Sequence, residues 1–198
     1  MTNSIFFNVR EGNTNLTRED FDGIKLKHIR NMKQLDEAEA VNILEGLNYV
    51  ENHQSEDILN LEFAKKLHKK LFGHVWKWGG EFRKSEKNIG IVPYKISTEL
   101  LKLLENTKYQ IQEKSYEPEE IGARFHHGLV FIHPFQNGNG RWARIYTELL
   151  YKKKNWSLPN WHSEEEILVR RKRYIDALRQ ADRRIFSDLI QFMRHAST

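Results

Sequence analysis

Pro134 divides two stretches of helical spacing, and this break constrains the fold more than any other residue in the chain. Proline has no amide hydrogen and its ring clashes with the preceding turn, so an α-helix does not run straight through it. Upstream, Pro118, Glu119 and Glu120 make a favourable helix start, because proline suits the first turn and acids suit the positive end. Ile121, Phe125, Gly128, Leu129 and Ile132 then fall on one helical face. Downstream, a new helix is expected from about 139 to 153.

The same spacing predicts helices over 32–49 (Leu35, Ala38, Val41, Leu44 or Glu45, Asn48) and over 57–72 (Ile58, Leu61, Ala64 or Lys65, Leu67 or His68, Leu71), with Gly73 closing the second. Others are expected over 98–114, 164–181 and 182–195. The glycine pair Gly79-Gly80, with the stretch from Glu81 to Gly90, reads as a loop or small hairpin. The first thirty residues show no sustained period. The expectation is an all-α chain with one small β-hairpin, made of an irregular arm over 1–30 and a single helical domain over 31–198.

The chain has 198 residues and 39% hydrophobic content, enough for a real core. It contains no cysteine, which excludes disulfides, thiol catalysis and cysteine-ligated metals. No apolar run reaches membrane-spanning length and the amino terminus lacks a signal-peptide pattern, so a cytoplasmic protein is the expectation. A net charge of +5 fits anionic partners such as nucleotides.

The chemistry concentrates in 133–144. Gly138 and Gly140 let the backbone approach a ligand closely, and they sit where a helix starts, with its unpaired amides and positive dipole end. Arg141 and Arg144, three residues apart, share a face beside that spot. Together these groups suit a di- or triphosphate. His133 enters from the other side and has the unperturbed pKa of a general base. Phe135, apolar among polar neighbours, is expected to plug into the core and pin the histidine. Seven specified positions in this spacing arise by chance with probability on the order of 10⁻⁷ in a chain of this length.

These residues resemble the Fic (Fido) family signature, His-x-Phe-x-acid-Gly-Asn-Gly-Arg-x-x-Arg. The segment over 81–90 looks like the family's flap. The leader over 35–39 is similar to that of the Fic group called mobile mystery protein B. The resemblance is strong over 35–144. It implies a Fic-type helical fold and a protein adenylyltransferase that moves AMP from ATP to a Ser, Thr or Tyr hydroxyl of a target protein. His133 would deprotonate that hydroxyl. Gly138, Asn139, Gly140 and Arg141 would hold the phosphates, and Arg144 would reach the γ-phosphate. Lys87, Asn88, Ile89 and Gly90 would lie in the flap that holds the target by backbone pairing.

Two departures matter. Asn137 stands where the family's acid binds Mg²⁺; its amide oxygen can ligate but carries no charge to fix the ion. Glu45-Gly46 matches the end of an inhibitory pattern found in many Fic proteins, whose glutamate pairs with the last arginine, here Arg144. Val41 replaces that pattern's hydroxyl residue. The alternative function is a weak or inactive Fic-fold nucleotide-binding regulator, and self-association stays open. A metallohydrolase built on His126, His127 and His133 is disfavoured, because 126–144 contains no carboxylate. Nucleic-acid binding by the Lys152–Lys154 and Arg170–Arg173 clusters is also disfavoured, since such runs usually coat solvated helices.

Overall fold

A computed structural model describes residues 22–52, 57–161 and 166–194. Among these residues the elements are α1 (Met32–Asn52), α2 (Leu61–Phe72), a 3₁₀ turn (Pro93–Lys95), α3 (Ile96–Gln112), α4 (Pro118–Ile132), α5 (Asn139–Lys154), α6 (Ile167–Asp182) and α7 (Ser187–Arg194). No strand forms among them, so the architecture is all-α. The expected hairpin is replaced by isolated antiparallel bridges, Ile24 to Trp76 and Phe82 to Phe135. Most of the arm over 1–30 lies outside the described residues. No described helix is long and apolar enough to cross a membrane.

α2 begins four residues later than its apolar spacing suggested. Asn60 is its N-cap, accepting the Phe63 amide at 2.8 Å, while Asp57 accepts the Leu59 amide just upstream. Ile58 and Leu59 are buried from that turn, so the apolar pattern continues past the helix itself.

α1 buries a different face from the expected one. Val41 and Leu44 are exposed, whereas Leu35, Glu39, Asn42, Ile43, Gly46 and Val50 face inward. The helix turns two polar side chains inward because both find partners. Asn42 donates to the Lys70 carbonyl at 2.9 Å and accepts the His74 amide at 2.9 Å, satisfying the end of α2. Gly46 permits the approach: a Cβ there would sit 2.8 Å from the Lys70 carbonyl oxygen.

α4 packs against α3, α5, α6 and α7, and α2 packs against α1, α3 and α5. One core, including Phe72, Trp76, Phe125, Phe135, Trp142 and Tyr146, lies among α1 to α5. A second, including Ala123, Tyr151, Trp161, Leu189 and Phe192, joins α6 and α7 to α4 and α5. The loop between α4 and α5 belongs to the first core, and there the signature residues meet.

Candidate active site

α4 ends at His133, just before Pro134. His133 takes a left-handed conformation (φ 51°, ψ 61°) while its amide still bonds the Leu129 carbonyl at 3.2 Å. Such a conformation is unfavourable for a residue with a Cβ and persists only when its surroundings hold it. Arg83 supplies that hold. Its Nε donates to the His133 carbonyl at 2.7 Å, and its other nitrogens donate to the carbonyls of Ser85 and Ile91. The Arg83 amide also donates to the Pro134 carbonyl at 2.9 Å. This nearly buried guanidinium therefore draws the segment from Ser85 to Ile91 over the histidine.

The flap closes on the same point. Gly90 has φ +94° and lies against His133, where a Cβ would come within 2.6 Å of the histidine Cβ. Asn88 and Ile89 are exposed and Lys87 partly so. Among the described residues, the amides from Lys84 to Gly90 find no acceptor, so an edge of free donors lies beside His133.

The loop itself is fixed from inside. The Asn139 side chain accepts the Phe135 amide and donates to the Phe135 carbonyl, each at 2.8 Å. This side chain is thus committed to the loop, and the Asn139 backbone amide is left to receive a phosphate. Phe135 is fully buried and stacks on His68 at 3.6 Å between centroids. His68 accepts the Gly80 amide at Nδ1 (3.0 Å) and meets the Asn137 carbonyl at Nε2 (3.1 Å). A carbonyl can only accept and an amide only donate, so the proton sits on Nε2. His68 ties the loop to the Gly79-Gly80 turn.

Gly138 has φ +76° and seats its backbone on Phe72, and Asn137 Oδ1 accepts the Gly138 amide at 2.7 Å. The first intrahelical bond of α5 runs from the Trp142 amide to the Gly138 carbonyl. The amides of Asn139, Gly140 and Arg141 have no acceptor among the described residues, and the space above Gly140 is open. These donors, with the helix dipole behind them, form an anion-receiving point.

The two signature arginines stand in different surroundings. Arg141 is buried, its Nη1 paired with Glu39 Oε2 at 2.9 Å and its guanidinium over Phe72. The other Glu39 oxygen accepts the Trp76 indole at 2.7 Å. Arg144 is half-buried, with its guanidinium 6.0 Å from the Tyr174 ring centre. Glu45 does not reach Arg144. Its half-exposed carboxylate bonds His74 Nδ1 at 2.7 Å, on a face of α1 turned away from Glu39. The Glu45-Gly46 pair is explained by helix packing at Gly46, which corrects the inhibitory reading of Glu45. Replacing Glu39 with Gln is expected to lower stability by about 2 kcal/mol, the scale of a hydrogen bond to a charged group. Freed from a carboxylate, Arg141 should then bind ATP more tightly. Thermal melts and calorimetry check both, and unchanged ATP affinity removes Arg141 from the phosphate site.

Burial, with the positive charges of Arg83 and Lys87, pushes the His133 pKa down to about 4, against an opposing pull from the Val130 backbone. That pull stops short of a hydrogen bond, since Nδ1 is buried without a partner of bonding geometry; Nε2 is the nitrogen left to meet solvent. At neutral pH the ring is therefore uncharged and able to take a proton.

Sequence reasoning did not single out Glu39, His68 or Arg83. Each is a polar residue in an otherwise apolar or charged stretch, and the available signal was a polar position on a buried stripe.

Residues 58–151 match the Fic/DOC family. The protein adenylyltransferase Fic of Aedes aegypti is 32% identical over 98 residues, covering 48% of this chain and 20% of that protein. The chain thus spans about a fifth of that curated relative. A Fic-domain signaling protein from Bacteroides thetaiotaomicron superposes with a TM-score of 0.67 at 18% identity, covering 83% of this chain and 70% of that one. The Fic domain of a Bartonella quintana effector with bound ADP gives 0.66 at 19%, covering 87% and 90%. The helices and the loop after α4 define a Fic-type fold. The segment over 58–151 matches the Fic/DOC family, and the chain is similar to proteins of that family.

Proposed function

We propose that this protein transfers AMP from ATP to a hydroxyl side chain of a target protein. The observation that carries this reading is a nearly buried His133 in the loop that leads to the open amide-bearing start of α5. The relatives named protein adenylyltransferase support it. In the transfer, neutral His133 accepts the hydroxyl proton at Nε2 as the oxygen attacks the α-phosphorus. A new P–O bond forms, the bond to the bridging oxygen breaks, and pyrophosphate leaves. The free amides of α5 and the two arginines stabilise the phosphate charge. The exposed flap amides pair with the backbone of the target segment and bring its hydroxyl to His133.

Incubating the protein with ATP labelled at the α- or the γ-phosphate tests this. Label is expected on protein from the α-position alone, with a mass gain of one AMP. Transfer of the γ-label would mean phosphorylation. Nucleotide binding with neither label transferred would favour the non-catalytic regulator.

The family's Mg²⁺ fits this chain poorly. The signature supplies Asn137 instead of a carboxylate, and its Oδ1 already accepts the Gly138 amide. The described residues hold no group of three or more His, Asp or Glu placed for a metal. No step above depends on the ion. An aspartate could keep the Gly138 bond with one oxygen and offer the other to a cation. Asn137→Asp is therefore expected to tighten Mg²⁺-supported ATP binding and to raise transfer about tenfold, some 1.4 kcal/mol of barrier. A variant no faster and no more Mg²⁺-responsive would show that the missing carboxylate is not limiting.

A further inference from the structure

Arg144 reaches its position with help from beyond the matched segment 58–151. Tyr174 lies on α6, and its ring faces the Arg144 guanidinium. The Tyr174 hydroxyl meets His126 Nε2 at 2.9 Å, on α4. His126 Nδ1 lies 3.3 Å from the Thr147 hydroxyl of α5, which itself donates to the Ala143 carbonyl at 2.8 Å. Since that hydroxyl spends its hydrogen on Ala143, it accepts from His126 Nδ1–H. His126 Nε2 then accepts from the Tyr174 O–H. The chain of bonds has one direction and spans three helices. His126 and Thr147 are fully buried, and Trp161 packs against the His126 ring at 4.7 Å. Phe192 of α7 packs against the Tyr174 ring, with 5.3 Å between centroids.

We infer that Tyr174 is a positioning residue for Arg144: its ring, fixed by the hydrogen bond to buried His126, holds the guanidinium where the terminal phosphate of ATP must lie. The inference rests on the proposed role of Arg144 at the γ-phosphate. A guanidinium on a flexible stem loses conformational freedom when it binds an anion, and an aromatic face that restrains it beforehand lowers that cost. Recognition of the triphosphate end would then depend on α6 being docked on α4.

The test is calorimetric affinity for ATP and for AMP in the full chain, with thermal melts as a folding control. Arg144→Ala should weaken ATP at least tenfold and leave AMP within twofold. Tyr174→Leu should reproduce that selectivity at about fivefold, the scale of a partly exposed cation–π contact. Tyr174→Phe keeps the core filled and retains the ring but frees it from His126; it should lose about threefold for ATP alone. That variant keeps the test decisive if the leucine protein does not fold. In the Arg144→Ala background, Tyr174→Phe should add nothing. Equal losses for ATP and AMP would make Tyr174 a purely structural residue and overturn the inference. So would parental ATP affinity in Tyr174→Phe while Arg144→Ala still loses ATP. If Arg144→Ala itself binds ATP like the parent, the γ-phosphate role falls, and the inference with it.

Discussion

Replacing His133 with alanine should reduce AMP transfer by about 10³-fold, within the range for a positioned general base, while ATP affinity stays within about threefold of the parent. The two effects separate because the groups lie on different elements. The anion-receiving amides and arginines belong to α5, whereas His133 caps α4 and is held by Arg83. The pH profile adds a sharper criterion. The active ring is neutral, so activity is lost only as pH falls through its folded pKa. With that value near 4, kcat/KM should show no inflection near 6.5 and stay level from pH 8 to about 5.5. Arg83→Ala lets the histidine relax and removes a neighbouring positive charge, so an inflection should move upward toward 6.5. Transfer at parental rate in His133→Ala would remove the histidine from the mechanism. A parent profile breaking at 6.5 would show an ordinary, solvated imidazole.

The sequence made the signature loop legible because its demands are local. Pro134 stops one helix, and two glycines and two arginines follow at the start of the next. The positions of α4 and α5 were readable for the same reason. What it did not show depends on partners distant in the chain. Glu39 lies 102 residues from Arg141, and nothing in the spacing of α1 announces that a carboxylate should replace an apolar residue on its buried face. Apolar counting therefore favoured the Val41 and Leu44 side, which solvent occupies. Glu45 was misread for a related reason: its pattern is equally well produced by a glycine that lets α1 lie on α2. The flap looked like a hairpin because glycines flank a β-friendly run. Instead Arg83 gathers three carbonyls, and one bridge to Phe135 takes the place of a ladder.

Acid should destabilise this protein well before its solvent-exposed carboxylates titrate. Three imidazoles, His68, His126 and His133, are buried, and burial is the main cause pushing their pKa values down to about 3, 3 and 4. For His68 the geometry explains why protonation is so unfavourable. Its Nδ1 accepts the Gly80 amide, so a proton placed there would set two N–H groups against each other. In the unfolded chain each ring titrates near 6.5. Between that value and the folded pKa the unfolded state binds more protons, so the imidazoles' contribution is complete above about pH 6.5 and is lost as pH drops. Each histidine contributes about 1.4 kcal/mol per pH unit in that window. Glu148 acts in the opposite sense. Burial raises its pKa to about 7, so the folded state holds the extra proton between roughly 4.5 and 7, and its penalty fades on acidification. The balance is about two protons, which makes the loss about 4 kcal/mol from pH 6.5 to 5, comparable with the whole stability of a marginal domain. Urea midpoints at pH 7, 6 and 5 should fall accordingly. His68→Gln should flatten the dependence by about one proton, and Glu148→Gln should steepen it by one. Midpoints that stay constant from pH 7 to 5 would show that the imidazoles are not held neutral in the fold. A slope unchanged by His68→Gln would place the proton uptake elsewhere than beneath the signature loop.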